Sequence, residues 1–414
     1  MGKCTECGAW NSLVETTVST QSEKFKVQSS KLAQPQKLSQ IKSVKKARIS
    51  SGISELDRVL GGGIVPGSVI LVAGEPGIGK STILLQVAEA IKSKVLYISG
   101  EESLQQIKIR AERLGVKGKD LFFLTETDVE AILGAIEDQK LVIVDSIQTL
   151  YTEELSGTAG SVGQVRECAS RLLKVAKSKD IPIFLIGHIT KEGAIAGPKV
   201  LEHMVDTVVY LEGERFGAAR LLRVAKNRFG ATDEVGVFQM TDRGMVAVDN
   251  PSKLFLAKQA GRVPGSAVTA TIEGTRPLLV EVQALVVPTQ LAIPRRIGQG
   301  VDYSRLQMIV AVLTKTLRLP LGGYDIYVNV TGGLKIEEPA ADLGIALAIV
   351  SSFKNLPLLP KTVCFGELGL LGEVREVGQS EKRKKEARRL GFTNIISPQN
   401  YPSVNQAARV IHNS

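Results

Sequence analysis

Residues 74–82 read GEPGIGKST, and this short stretch decides the fold of the first half of the chain. It fits the phosphate-loop pattern G-x-x-x-x-G-K-[ST], in which backbone N–H groups surround phosphates, the lysine reaches the β and γ oxygens, and the last hydroxyl ligates Mg²⁺. The apolar strand SVILVAG (68–74) precedes it and a helical pattern follows, as the motif requires. We therefore expect ATP and Mg²⁺ to bind at the loop residues Gly74, Glu75, Pro76, Gly77, Ile78, Gly79, Lys80, Ser81 and Thr82.

Strands and helices alternate around this loop from about residue 47 to 249. Four further apolar runs predict buried strands: VLYIS (95–99), LFFL (121–124), LVIVD (141–145) and IPIFLIG (181–187). Such strands separated by helices predict an α/β fold, with a mostly parallel sheet that helices cover on both faces. Three runs without helices between them predict an antiparallel extension of that sheet: TVVYLE (207–212), ARLLRVAK (219–226) and EVGVFQMT (234–241).

Acidic residues at the ends of two strands are candidate catalytic groups. Asp145 ends LVIVD, where a carboxylate is expected to hold Mg²⁺ together with Ser81. Glu101 follows VLYIS, where a carboxylate can orient the attacking water. Glu102 is the alternative to Glu101, and both acids also suit the first turn of a helix.

GHIT (187–190) ends another central strand. His188 and Thr190 are candidate sensors of the γ-phosphate, although a histidine in this place also suits a core position. The segment that follows, KEGAIAGPK (191–199), lies where open α/β sheets bind ligands.

The composition is that of an ordinary globular protein of two or three domains. Among its 414 residues, 43% are hydrophobic and 23% are charged. The formal net charge of +10 and the pI of about 9.3 favour an anionic partner, with nucleic acid first and an acidic membrane second. The alternative is a solvated basic surface. No apolar run approaches the roughly 20 residues of a membrane span. Since the N-terminus also lacks a signal-peptide core, we expect a cytoplasmic location and no membrane partner.

The pattern changes at NPSKLF (250–255), whose turn residues mark a boundary. Beyond it, strands and helices mix in the manner of an α+β domain over residues 250–414: AVTATIEG and LLVEVQALVV as strands, SRLQMIVAVLTKTL (304–317) as a helix, DIYVNVTGG (325–333) as a strand and EPAADLGIALAIVSSF (338–353) as an apolar helix. The first domain then spans residues 47–249. Residues 14–46 predict a basic, flexible linker, because they are rich in Ser, Gln and Lys.

The order of the motifs resembles the RadA, or Sms, family of bacterial DNA repair proteins. Five segments of the first domain occur in the family's order: RISSGISELDRVLGGGIVPGSVILVAGEPGIGKST, VLYISGEES, LVIVDSIQTL, GHITKEGAIAGPKVLEHMVDTVVYLEGE and KNRFG (226–230). Two segments of the second domain are similar to the family's Lon-protease-like part: PRRIGQGVDYSRLQMIVAVL and YVNVTGGLKIEEPAADLGIALAI. The resemblance covers residues from about 47 to 410.

The resemblance implies a RecA-like P-loop ATPase core followed by a Lon-protease-like domain. It also implies a homo-hexameric ring that hydrolyses ATP in a DNA-dependent, helicase-like manner and promotes branch migration in homologous recombination and repair. The implied partners are single-stranded DNA, branched DNA and a RecA-type recombinase.

KNRFG is the signature of this family. The resemblance implies Lys226 and Arg228 as its functional cations, in catalysis and in DNA binding. In a ring they would reach the γ-phosphate of the neighbouring subunit. The alternative is a basic turn that closes a hairpin. Lys191 and Lys199 flank the segment in which RecA-like proteins contact DNA.

The family normally begins with a four-cysteine zinc finger, and the chain departs from that pattern. CTEC supplies Cys4 and Cys7, GAWN follows as in the family, and no first pair precedes them. A structural zinc site needs four ligands, so residues 1–13 are interpreted as a partial zinc-finger remnant in a chain that begins midway through the finger. The resemblance implies Zn²⁺, while this ligand count argues against it here. Cys168 and Cys364 are expected to be buried hydrophobes.

The second departure concerns proteolysis. Lon-type proteases carry a nucleophilic serine in G-P-S-A-G, and EPAAD (338–342) places Ala340 there, so we expect no protease activity. The basic helix EKRKKEARR (381–389), with Lys384 and Lys385, is a candidate contact for duplex DNA, or else a solvated face with internal ion pairs. Two alternative functions remain: an ATP-dependent Lon-type protease, and a KaiC-like regulatory ATPase, whose core begins similarly but is typically duplicated.

Overall fold

The computed structural model describes residues 37, 47–189, 199–213, 219–257 and 260–411. The predicted zinc-finger remnant, almost all of the predicted linker, Thr190 and Lys191 lie outside the described residues. The helices are α1 (Ser54–Val59), α2 (Lys80–Ala90), α3 (Leu104–Leu114), α4 (Val129–Ala135), α5 (Val162–Lys179), α6 (Lys199–Glu202), α7 (Tyr303–Thr316), α8 (Asp342–Lys354), α9 (Ser380–Arg389) and α10 (Val404–Ala407). The strands are β1 (Val69–Gly74), β2 (Val95–Ser99), β3 (Leu121–Thr125), β4 (Leu141–Asp145), β5 (Ile183–His188), β6 (Thr207–Glu212), β7 (Ala219–Asn227), β8 (Val235–Thr241), β9 (Gly244–Ala247), β10 (Ser266–Glu273), β11 (Arg276–Pro288), β12 (Arg296–Gln299), β13 (Tyr324–Val330), β14 (Thr362–Cys364), β15 (Glu367–Leu368), β16 (Val374–Arg375) and β17 (Asn394–Ile396).

The first sheet has nine strands in the order β3-β2-β4-β5-β1-β6-β7-β8-β9. The strands from β3 to β6 in this order run parallel, and β7, β8 and β9 continue the sheet in antiparallel pairs. Alternate residues of β1 enter two different cores: Ile70 and Val72 pack with α2, and Val69 and Leu71 pack with α5. Helices therefore cover both faces of a mostly parallel sheet, and the predicted α/β fold is confirmed.

The prediction for TVVYLE was wrong in one respect. As β6 it pairs in parallel with β1, with Thr207 beside Ile70 and Leu211 beside Gly74. The physical reason is the connection: α6 leads into β6, and a parallel strand is reached through a crossover rather than a tight hairpin. The antiparallel extension begins only at β7, whose Asn227 pairs with Thr207.

The second sheet has six strands in the order β12-β13-β11-β10-β14-β17, with parallel and antiparallel pairs. The apolar helix α8 packs on it, and Leu343, Ala346 and Leu347 share a core with Leu278 and Val280. The helix begins at Asp342, four residues later than predicted, because residues 339–341 form a separate 3-10 turn. The α+β class is confirmed, while the boundary at residues 249 and 250, between β9 and β10, stays a prediction. No helix in the described part of the chain is apolar and long enough to cross a membrane.

Candidate nucleotide site

The phosphate loop joins β1 to α2 at the carboxyl edge of the parallel strands. Gly77 and Gly79 have φ angles of 78° and 118°, which glycine adopts without the strain that a side chain would cause. A Cβ on Gly79 would lie 2.6 Å from Cε of Met240, so a side chain here would require the neighbouring methionine side chain to move. Because α2 begins at Lys80, the free N–H groups of its first turn face the loop. The loop is thus built to surround an anion.

Lys80 is buried in this loop. Its Nζ donates hydrogen bonds to the carbonyl oxygens of Gly74 and Glu75, both at 2.9 Å. Burial lowers the pKa of the amine to about 8, against the opposing charges of Asp145 and Glu101. The side chain is therefore mostly a cation at neutral pH, and it is held at the point where phosphate oxygens are expected.

Asp145 ends β4, and a tyrosine holds its carboxylate. The hydroxyl of Tyr97, on the neighbouring β2, donates to Oδ2 of Asp145 at 2.6 Å. Burial, and then the charge of Asp145, raises the pKa of Tyr97 well above its usual value, so the hydroxyl stays protonated and remains a donor. The sequence reasoning did not identify Tyr97, although a polar tip within a buried strand next to LVIVD was a usable signal.

Glu101 and Glu102 point to different partners. Oε1 of Glu101 accepts a hydrogen bond of 2.5 Å from the hydroxyl of Ser146, and it lies 3.4 Å from Nε2 of His188, at the outer limit of hydrogen bonding. The contact with His188, and then the bond from Ser146, lowers the pKa of Glu101 to about 2 against the effect of burial. Glu102 instead forms an ion pair with Arg110 of α3. The geometry favours Glu101 as the carboxylate that faces the nucleotide.

These side chains line one cavity of about 310 Å³ above the phosphate loop. The predicted residues Lys80, Ser81, Glu101, Asp145 and His188 all contribute to its walls. The cavity is also lined by two arginines that the sequence reasoning missed, Arg110 and Arg113.

Three buried polar atoms near the cavity have no hydrogen-bond partner among the described residues. They are Nδ1 and Nε2 of His188 and Oε1 of Gln148. Nε2 of Gln148 does have a partner, since it donates to the His188 carbonyl at 3.2 Å. Because buried polar groups are normally satisfied, these atoms fit a bound polar group such as a terminal phosphate or its attacking water. The donor set of Ser81 and Asp145 likewise fits the hard cation Mg²⁺.

A buried arginine donates a hydrogen bond to the backbone of the phosphate loop. Nε of Arg220, in β7, donates to the carbonyl oxygen of Ile78 at 3.2 Å, although 142 positions separate the two residues. Arg220 is only 4% exposed, and burial lowers its pKa. The antiparallel extension of the sheet therefore takes part in shaping the nucleotide site.

Comparisons with known proteins agree with this architecture. Residues 34–194 match the family model of an AAA domain, and residues 297–401 match that of subunit ChlI of Mg-chelatase. DNA repair protein RadA of Halalkalibacterium halodurans is 51% identical over 406 residues, which cover 96% of this chain and 89% of that protein. DNA repair protein RadA of Bacillus subtilis is 48% identical over 407 residues, with the same coverage.

The chain belongs to the RadA family. With the family come a RecA-like ATPase fold, the binding of ATP with Mg²⁺ and the hydrolysis of ATP. In the crystal structure of the RadB recombinase, the matched chain is 24% identical in sequence at a TM-score of 0.40. The match covers 48% of the present chain and 99% of the RadB chain.

The RadA signature KNRFG lies at the opposite edge of the sheet from the phosphate loop. Gly74 neighbours Leu211 of β6, and Leu211 pairs with Leu222 of β7. Asn227 lies five residues further along β7, a distance of about 17 Å at the usual rise of a strand. Residues 226–230 therefore do not line the nucleotide cavity of their own chain.

The two signature cations have different surroundings. Nζ of Lys226 donates to the carbonyl oxygens of Glu202, His203 and Val205, at 2.7, 3.2 and 2.8 Å. Arg228 is half-exposed, and its Nη1 lies 3.5 Å from Oδ1 of the buried Asp206. Lys226 thus anchors the end of α6 within its own chain, whereas the guanidinium of Arg228 faces outward.

The other predicted DNA contacts are scattered. Lys199 is exposed at the start of α6, and Lys385 is exposed on α9. Lys384 is half-buried and donates to Oε1 of Glu381 at 2.8 Å and to Gln399, so it fits the alternative of internal pairing. Lys191 lies outside the described residues.

The expected burial of the two downstream cysteines is confirmed. Cys168 and Cys364 belong to separate cores, and burial raises the pKa of each thiol to about 12. Within the described ranges, no group of three or more metal-ligating side chains occurs. Cys4 and Cys7 lie outside those ranges.

Proposed function

We propose that this chain is a DNA-dependent ATPase that acts as a ring-shaped, homo-hexameric DNA motor in homologous recombination and repair. In this proposal its helicase-like activity promotes branch migration on single-stranded and branched DNA, beside a RecA-type recombinase in the cytoplasm. The observation that carries the proposal is the division of the catalytic groups between two sheet edges. Lys80, Glu101 and Asp145 share one cavity, while the signature cation Arg228 lies at the far edge.

At the first edge, we assign binding of the phosphates to Lys80 and to the backbone of residues 76–79. Ser81 and Asp145 would hold Mg²⁺, which when bound neutralises charge on the β and γ oxygens. Tyr97 fixes the direction of the Asp145 carboxylate.

Glu101 is assigned the task of orienting the attacking water. With its pKa near 2 the carboxylate is ionised and accepts a hydrogen bond from water. The same low pKa makes it a weak base, so orientation rather than proton removal is its main contribution. His188 contacts Glu101 and keeps an unpaired Nδ1, which suits a sensor of the γ-phosphate.

At the second edge, Arg228 is assigned to the nucleotide of the next subunit. A cation supplied across an interface stabilises the charge that develops in phosphoryl transfer, and it makes hydrolysis depend on assembly. Lys226 already donates to three carbonyl oxygens of its own chain, so we assign it the positioning of the segment from α6 to β6. Lys199 and Lys385 are the exposed lysines among the proposed DNA contacts.

The two alternative functions have weaker support. Ala340 has no hydroxyl, so this position cannot supply the nucleophile of a Lon-type protease. The residue is also fully buried, and its carbonyl oxygen accepts a hydrogen bond from Gly366 N at 2.8 Å. A KaiC-like ATPase typically has two cores, and this sequence has one phosphate loop.

The test is the ATPase rate with and without single-stranded DNA, across a range of salt concentrations, on particles whose mass is measured in solution. The proposal predicts hexamers and a rate that DNA stimulates, with less stimulation as salt rises because phosphate contacts are screened. Robust hydrolysis that is indifferent to DNA at every salt concentration would overturn it.

A further inference from the structure

A turn of the C-terminal sheet contacts the base of the loop that carries KNRFG. β7 and β8 pair up to Arg223 and Val235, and the residues between them, 224–234, are called the signature loop here. β10 and β11 pair up to Glu273 and Arg276, and residues 273–276 are called the docking turn. Glu273 contacts the strand that enters the signature loop, Gly274 and Thr275 contact the end of the loop, and Arg276 is linked through Glu55 to the strand that leaves it.

Gly274 is the residue of the docking turn that lies directly against the signature loop. A Cβ at Gly274 would lie 1.8 Å from the carbonyl oxygen of Asp233 and 3.1 Å from the side chain of Val235. Its φ of +65° is also in the left-handed region that favours glycine. The backbone of the docking turn therefore lies directly against the backbone at the end of the signature loop, where no side chain fits.

Charged and polar side chains fix both ends of the loop. Arg223 lies immediately before it, and its Nη1 lies 2.6 Å from Oε2 of Glu273, whose side chain is 8% exposed. At the other end, the hydroxyl of Thr275 donates to Oε1 of Glu234 at 3.0 Å.

Arg276 completes the contact through a buried acid. Its Nη1 donates to Oε2 of Glu55 at 2.6 Å, and the same oxygen accepts a hydrogen bond of 2.9 Å from Val237 N in β8. The side chain of Glu55 is 5% exposed, and buried charge pairs of this kind are costly to break on one side only. The strand that leaves the signature loop is thus tied to the docking turn through Glu55, as the strand that enters it is tied through Arg223.

We propose that the docking turn is a positioning element for catalysis, because it holds both ends of the signature loop and so sets where Arg228 is presented. This inference rests on the proposed role of Arg228 and adds that the C-terminal half controls that role. A displacement of the second sheet by bound DNA would pass through residues 273–276 to the signature loop. The residues of the turn act through Arg228 and do not contact the nucleotide.

The first arm of the test is amide hydrogen exchange on the full chain, for the variant Gly274→Ala. We expect exchange in residues 224–234 to accelerate about tenfold or more, because local opening loses its backbone support. Gly391→Ala is the matched control, since Gly391 also has a left-handed φ, of +85°, but a Cβ there would meet nothing within 4 Å. Thr275→Val is a milder variant, should Gly274→Ala fail to fold, and we expect an acceleration of about threefold from the loss of one hydrogen bond. Unchanged exchange in the signature loop of every variant that folds would overturn the proposal.

The second arm is DNA-stimulated ATP turnover of Gly274→Ala, Arg228→Ala and the double variant. If the turn acts through Arg228, the double variant is no slower than Arg228→Ala alone, whereas independent sites would give multiplied losses. Multiplied losses, or full activity of Gly274→Ala beside an impaired Arg228→Ala, would contradict the inference. Normal turnover of Arg228→Ala would instead remove the proposed role of KNRFG, and the exchange result would still decide whether the turn positions the loop.

Discussion

The two edges of the nine-stranded sheet differ in the partners and the exposure of their charged side chains. At the carboxyl edge, Lys80 lies among the carboxylates of Glu101 and Asp145, and one chain supplies both signs of charge. At the other edge, Lys226 is bound to carbonyl oxygens, and Arg228 extends half-exposed beside Asp206. Under the proposed function, the first edge is a nearly complete site and the second edge completes a site on another subunit.

Removing the central cation of the first edge is expected to have the largest effect. Lys80→Ala should lower ATP turnover by about a thousandfold, because a buried charge that faces the phosphates is lost. Lys92→Ala, at an exposed position two residues beyond the end of α2, is the control and should stay within about twofold of the native rate. Steady-state ATP hydrolysis measures both variants. Normal turnover in Lys80→Ala would show that the first edge is not the site of ATP hydrolysis.

The two adjacent glutamates sharpen what the first edge contains. Glu101→Gln should lower kcat by about a hundredfold and leave nucleotide affinity nearly unchanged, since it alters the water and not the phosphates. Glu102→Gln, which loses the ion pair with Arg110, should cost less than about fivefold. Turnover and the binding of a fluorescent ATP analogue separate the two effects, and a larger loss in Glu102→Gln would reverse our assignment.

The pH dependence of binding tests the charge of Lys80 directly. Its pKa in the free protein is about 8, and phosphates bind the protonated amine and raise that pKa. The affinity for ATP is therefore highest well below pH 8 and falls as the pH rises through that value, by about tenfold between pH 7 and pH 9. Titration calorimetry measures the effect. Lys80→Arg should show flat affinity over this range, because its guanidinium stays charged, and flat affinity in the native chain would contradict the stated protonation.

The smallest expected effect concerns the support of Asp145. Tyr97→Phe keeps the ring but removes the hydrogen bond to the carboxylate, and we expect the Mg²⁺ concentration for half-maximal turnover to rise about threefold. Tyr210→Phe is the matched control, since it removes a similar tyrosine–carboxylate bond, to Glu202, away from the cavity. Equal Mg²⁺ requirements in all three proteins would show that Tyr97 does not tune the metal site.

Local sequence signals predicted the parallel strands and the phosphate loop, because their apolar runs and glycine spacing are read within a few residues. The features that were missed depend on residues far apart in the chain. Arg220 supports Ile78 across 142 positions, and the direction of β6 depends on the crossover that precedes it. The sequence favoured Glu101 over Glu102 but could not give their partners, because neighbouring residues on a turn point in different directions that only the fold defines.

The central claim is that KNRFG completes the site of a neighbouring subunit, and mixed rings test it most directly. Lys80→Ala and Arg228→Ala subunits are each expected to be nearly inactive alone. If the cation acts across the interface, an equal mixture should recover roughly a quarter of native turnover, because random assembly places an intact Arg228 beside an intact Lys80 at that share of interfaces. No recovery in mixtures whose subunit exchange is verified by mass would contradict the claim.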